Sequence, residues 1–260
     1  MFRVLDERPG SHAAVTLVRP GPLRVYAHVS ASANAADLTG LRVLLITDVL
    51  FRAAELGGLQ VLTTRVFTGE PSGQAAVERA ADALGAHPPV LPAAADVSGG
   101  WPGDAADVHV ADDAAAREDD HSGILIRAAS ARLAEDARPG DATAGPLIGH
   151  DPLAVRLALM SFPRHHLAEL TAGRLAEAAR TLGQWRRCVA GWAQSPSHRM
   201  PEPIESAIRA AFDHLDTVAA LSSLTRLAAD EAVPPGARFE SFVYADRVLG
   251  LDLPRDIGRA

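Results

Sequence analysis

The segment from Leu23 to Val66 constrains this chain more than any other. It opens with Leu23–Val29, a run rich in Val and Leu. A small, polar loop follows at Ser30–Gly40. Next comes an apolar stretch of helical length, Leu41–Leu56, stopped by Gly57-Gly58, and then a second β-like run at Leu59–Val66. Strand, loop, helix, strand is the unit that builds a parallel crossover, because parallel neighbours cannot be joined by a tight turn. Ahead of it, Ala13–Arg19 reads as another strand, set off by the turn Arg19-Pro20-Gly21-Pro22. Behind it, Glu70-Pro71-Ser72-Gly73 opens a helix over Gln74–Leu84 that Gly85 ends.

Residues 86–123 are rich in Pro, Gly, Ala and Asp, with one weak strand at Val108–Val110. The acidic run Asp112–Asp120 reads as a solvated loop rather than a metal site. Ile124–Asp136 has helical character, and Arg138-Pro139-Gly140-Asp141 through Gly145-Pro146 reads as a linker. From Asp151 the texture changes. Pro152–Met160, Leu167–Ala193, Pro203–Leu215, Val218–Ala229 and Phe239–Leu249 all carry helical periodicity. Asp151-Pro152 is an N-cap followed by proline at the first helical position. No internal repeat is visible.

Composition narrows the chemistry. All 25 basic residues are Arg, so no mechanism that needs an internal lysine is open to the chain. The 32 acidic residues leave a formal charge of −7, which opposes a general nucleic-acid coat. Cys188 is the single cysteine, so neither an intrachain disulfide nor a multi-cysteine zinc cluster can form. The N-terminus is charged within three residues and reads as no secretory signal. No uncharged apolar run approaches the roughly 18 residues of a membrane span. The expectation is a cytoplasmic protein.

Two segments together resemble cysteinyl-tRNA synthetase and its relative, the mycothiol-pathway cysteine ligase. The first runs Leu23-Arg24-Val25-Tyr26-Ala27-His28-Val29, then Leu41-Arg42-Val43, Thr47-Asp48-Val49-Leu50-Phe51-Arg52 and Leu56-Gly57-Gly58-Leu59-Gln60-Val61. Ala83-Leu84-Gly85-Ala86-His87-Pro88-Pro89 and Asp107-Val108-His109-Val110 are similar to later landmarks of that family. The second is Asp151-Pro152-Leu153-Ala154-Val155-Arg156-Leu157-Ala158-Leu159-Met160-Ser161. Leu175-Ala176-Glu177-Ala178 and the closing Leu249-Gly250-Leu251 follow in the family's order. The resemblance implies an α/β fold: a reduced Rossmann-like (HUP-type, class I synthetase) parallel-sheet domain over 1–145, followed by an α-helical bundle over 150–260.

It also implies chemistry that the residues supply only in part. A class I synthetase stabilises charge growing on ATP with a HIGH loop at a helix N-terminus. Register places Asp37-Leu38-Thr39-Gly40 there, with both histidines replaced and a carboxylate beside the phosphate position. The KMSKS loop has no counterpart before Asp151. The nucleotide-cleft candidates are Asp37, Thr39, Gly40, Arg42, Asp48 and Thr68, for ATP or an aminoacyl-adenylate. The sequence assigns no catalytic residue. Zinc is not expected, because His28 stands where the family's first Cys ligand would be and the later ligands are missing. His165-His166 reads as a structural or surface pair at a helix start, and Cys188 as a buried, inert thiol. Arg174, Arg180, Arg186 and Arg187, with Arg156, make the most basic stretch and are the candidate RNA contacts. A solvated Arg face paired to Glu169 and Glu177 is the competing reading.

Three functions stay open. One is a motif-degenerate, non-aminoacylating paralogue with a binding or accessory role, whose partner is a tRNA or a protein. Another is an adenylating or aminoacyl-transfer enzyme of specialised metabolism that takes a small molecule in the α/β cleft. The third is a tRNA-binding module acting through the bundle.

Overall fold

The computed structural model describes residues 2–7, 14–17, 21–32, 34, 37–90, 106–118, 123–138, 147 and 149–259. Its centre is a four-stranded, wholly parallel sheet in the order β4-β3-β5-β6, formed by β3 (Leu23–Ala31), β4 (Val61–Gly69), β5 (Val108–Asp112) and β6 (Ile124–Ala128). The strands are rich in apolar residues because both faces are covered, with a few buried polar side chains such as His28, Thr63 and His109 among them. On one face Val25, Ala27, Val29, Val108, Val110 and Ile126 join the main core. On the other, Tyr26 packs with Val66 and Ala106.

Helix α1 (Thr39–Leu56) makes the expected crossover from β3 to β4. It is apolar nearly all round, as a helix enclosed on every side must be. It touches the sheet, α2 (Pro71–Ala83) and a helix of the C-terminal half. A short α3 (Ala115–Glu118) follows β5. An N-terminal pair, β1 (Phe2–Leu5) and β2 (Ala14–Leu17), is antiparallel and separate from the main sheet.

The C-terminal half carries α4 (Pro152–Met160), α5 (Ala172–Trp192), α6 (Glu202–Asp213), α7 (Thr217–Ala229) and α8 (Pro235–Leu249). α5 packs on α4 and α8, and α7 on α6 and α8. The ring of Phe242 sits edge-on between Trp185 and Trp192 at 5.6 and 5.1 Å. Asp151 caps α4 through the Leu153 N–H, as its sequence foretells.

Two expected helices are partly strands. Ile124–Asp136 forms β6, then β7 (Ala131–Leu133) and a 3-10 turn at Glu135–Ala137. A short apolar run buried on both sides lacks the period that separates strand from helix. Leu167–Ala193 begins with β8 (Ala168–Leu170), which pairs in parallel with β7 before α5 starts. Helix α2 begins three residues earlier than expected, at Pro71. In the acidic run, Asp112 is buried, 3% exposed, and ends β5 rather than lying in solvent. Arg19-Pro20 of the first turn, 91–105 of the Pro- and Gly-rich stretch, 119–120 of the acidic run and 139–146 of the linker lie outside the described residues.

The buried apolar residues of both halves belong to one contiguous cluster, from Val4 to Leu253. Among the described residues, no helix is long and apolar enough to cross a membrane.

Candidate functional site

Strand order reverses between β3 and β5, and in open parallel sheets the crevice at such a point, beyond the strand C-termini, is where ligands bind. Among the described residues, the chain's own hydrogen bonds and close backbone contacts cross that crevice. Ser30 Oγ donates to Asp112 Oδ2 at 2.5 Å, across the ends of the two strands. The other oxygen of Asp112 accepts the N–H groups of Ala114 and Ala115 at 3.0 and 2.9 Å. The first turn of α2 presses on the β3–α1 loop so closely that a Cβ at Gly73 would lie 2.9 Å from the Ser32 backbone.

The start of α1 is also closed. Asp37 Oδ1 accepts the Thr39 N–H at 2.9 Å, which spends a donor a helix N-terminus would offer to phosphate. The Leu38 N–H goes to Ala131 O at 2.8 Å. Thr39 Oγ1 accepts the Ala131 N–H at 3.2 Å, and the backbones of Asp37 and Arg132 form an isolated antiparallel β-bridge. Gly40 lets the helix sit against β3, since a Cβ there would lie 2.5 Å from Ser30 O. Segment 129–133 therefore covers the turn that register aligns with a phosphate loop.

The other cleft candidates are scattered. Arg42 is buried and donates to four carbonyls, those of Ala129, Ser130, Pro163 and His166, at 2.5–3.2 Å. Burial lowers its pKa to about 10. Thr68 is exposed at the end of β4, opposite Ser30. Asp48 lies nine residues into α1, about 14 Å along the axis from Thr39.

Asp48 is instead the centre of a buried network. Its oxygens accept from Arg156 Nη2 at 2.5 Å, Arg52 Nε at 2.9 Å and the His87 N–H at 2.9 Å, and His87 Nδ1 lies 2.8 Å away. Burial alone would raise its pKa. The hydrogen bonds from His87 and the charges of Arg156 and Arg52 outweigh that and hold it well below the usual carboxylate range. Arg156 also donates to Leu249 O and Leu84 O, at 2.6 and 3.2 Å. Gly250, left-handed at φ +61°, leaves room for it: a Cβ would stand 2.9 Å from Arg156 Nη2. The sequence landmarks around Asp48, Leu84-Gly85-Ala86-His87, Arg156 and Leu249-Gly250 thus converge on one structural tie.

His28 faces His109 across β3 and β5, Nε2 to Nδ1 at 3.1 Å, with both rings buried. Among the described residues, no group of three or more His, Cys, Asp or Glu could hold a metal ion. His165 and His166 lie in the turn before β8, not at a helix start, and their rings meet edge-on at 4.5 Å rather than pointing apart. Cys188 is half-buried rather than enclosed. The Arg residues of α5 divide. Arg186 is buried and donates to the carbonyls of Leu251 and Asp252. Arg174 is exposed, with its guanidinium 4.7 Å over the Phe162 ring. Arg180 and Arg187, also exposed, share one helix face at seven-residue spacing. Glu169 pairs with Arg132 of β7 at 2.8 Å. Sequence reasoning gave Ser30 and Asp112 no role at the strand ends, and only their proximity across β3 and β5 could have marked them.

No family model matches the chain, and no curated protein is similar to it in sequence. A solved structure from Campylobacter jejuni, designated "putative arginyl t-RNA synthetase", is similar in fold, with a TM-score of 0.50 and 9% identity, over 91% of this chain and 92% of that one. The two chains share a fold. That likeness concerns the path of the backbone and carries no assignment of substrate.

Proposed function

We propose that the chain is a synthetase-like protein that does not activate an amino acid and serves a binding or accessory role. The observation that carries this reading is the Asp37 carboxylate on the Thr39 N–H at the start of α1. A fixed negative charge stands where a triphosphate would need converging donors, and it already holds the Thr39 N–H. The absence of lysine and the use of Arg42 and Asp48 as structural ties support the same conclusion. The test is ATP–pyrophosphate exchange with each of the standard amino acids, cysteine and arginine included. Exchange should stay at background for all of them. Turnover of roughly 1 s⁻¹ or more with any one would establish the adenylating enzyme instead.

A second reading, a tRNA partner held by the helical half, is favoured by Arg180 and Arg187 on one exposed face of α5. Each phosphate contact adds roughly −0.7 to −0.9 to the slope of log K against log salt. Total tRNA is titrated at two salt concentrations against the wild type and the Arg180→Gln/Arg187→Gln variant. A salt slope that falls by about 1.4–1.8 in the variant supports the reading. Absence of binding at low salt removes it and leaves a protein partner.

A further inference from the structure

Away from the sheet, a cleft of about 240 Å³ lies between α4, α5 and α7. Drug-sized ligands take roughly 300–1,000 Å³, so its occupant is a smaller molecule. The buried Leu157, Ala158, Ala178, Trp185 and Leu221 give it an apolar floor. Two hydroxyls at its edge are engaged by their own helices. Ser161 Oγ donates to Leu157 O at 2.8 Å, and Thr225 Oγ1 to Leu221 O at 2.9 Å.

The remaining polar groups are not so engaged. Trp185 is 4% exposed, yet its indole N–H has no acceptor among the described residues, and the open space it borders is this cleft. A buried indole N–H ordinarily finds a partner, because leaving it without one costs free energy. The half-buried Thr181 hydroxyl likewise makes no hydrogen bond among the described residues. The rim carries one charge of each sign. Arg174 and Glu177 lie three residues apart on one face of α5. Both are exposed, and neither forms an ion pair among the described residues. The Arg174 guanidinium is held instead over Phe162, which also lines the cleft. Trp185 lies eight residues beyond Glu177, about 12 Å along the helix axis. The cleft therefore has a charged end and an indole end, with apolar surface between them.

A lone anion at the charged end would face Glu177, and a lone cation would face Arg174. A molecule that bears both charges close together satisfies both. We infer that this cleft binds a free α-amino acid whose side chain is apolar along its stem and ends in a hydrogen-bond acceptor. Its carboxylate lies toward Arg174, its ammonium toward Glu177, its stem along Leu157 and Leu221, and its tip toward the Trp185 N–H. The site shares no residue with the strand-end crevice and includes neither Arg180 nor Arg187, so it stands independently of the function proposed above.

The probe is labelled tyrosine, whose ring is apolar and whose phenol oxygen accepts, followed by equilibrium dialysis on the full chain without ATP. One saturable site is expected. Tyrosine amide lacks the carboxylate and N-acetyltyrosine lacks the ammonium; each should compete about tenfold less well than unlabelled tyrosine. Phenylalanine lacks the tip acceptor and should compete about threefold less well. Arg174→Gln should weaken tyrosine about tenfold and leave tyrosine amide unchanged, since the amide has no carboxylate to lose a partner. Glu177→Gln should weaken tyrosine about as much and leave N-acetyltyrosine unchanged. Both positions are exposed, so thermal melts of the variants should match the wild type. No saturable binding, tyrosine amide or N-acetyltyrosine or phenylalanine competing as well as tyrosine, or tyrosine affinity that either variant leaves unaltered would each overturn the inference.

Discussion

Asp48 is 3% exposed and touches two guanidinium groups and one imidazole. A buried ion pair adds little over an apolar substitute, but halving it leaves a charge without compensation. Asp48→Asn keeps the shape and strips Arg156 of its counter-charge. It should cost about 3–5 kcal/mol in urea unfolding at neutral pH. The pH dependence has a definite sign. The folded carboxyl titrates below the roughly 3.9 of an unfolded aspartate, so its contribution is complete above that pH and is lost as pH falls toward the folded value. The stability gap between wild type and Asp48→Asn should therefore narrow below about pH 4. An unchanged gap down to pH 2 would show that the pair is not ionised as described. Asp48, Arg156 and His87 stand out in the sequence, but each side chain says nothing about its partners. The link joins residues 108 apart.

Helix α1 seats against β3 only because Gly40 has no side chain. Gly40→Ala would drive a Cβ toward Ser30 O, a backbone atom inside the sheet that cannot step aside. The gain in helix propensity, about 1 kcal/mol, should be exceeded by a strain of roughly 1–3 kcal/mol. Gly183→Ala on α5 is the control. Its nearest neighbour is the end of the Arg187 side chain at 3.6 Å, so it should be neutral or stabilising. Equal effects in denaturant melts would refute this account of α1. Elements with long helical periodicity were legible: α1, α4, α6 and α7 lie close to where the pattern puts them, and α8 ends where expected but begins four residues earlier, at Pro235. β6 and β8 were not. Ile124-Leu125-Ile126 is apolar on consecutive residues, which a buried strand and a buried helix share. Ala168-Glu169-Leu170 becomes a strand only because β7 lies beside it. For the candidate site, the carboxylate at Asp37 was readable, but the cover supplied by Ala131 was not, since it arrives from 92 residues away.

At the scale of the molecule, the division into 1–145 and 150–260 is a statement about texture, while the contacts run across it. Arg42 reaches the carbonyls of Pro163 and His166, Arg156 reaches Asp48, and β7 pairs with β8. Unfolding should therefore be one cooperative event. Tryptophan emission, dominated in the helical half by Trp185 and Trp192, should share its midpoint with the far-UV dichroism of the whole chain. Two separated transitions would mean two units that fold alone. The parallel pairing of β7 with β8 carries a further consequence. Parallel strands leave no hairpin between them, so their alignment is enforced by the packing on either side and not by the covalent connection. The chain could then be severed between 139 and 146 and its two pieces, made separately, would find each other again. Such a pair would behave as a reconstituting reporter, folded only when both pieces are present in the same compartment.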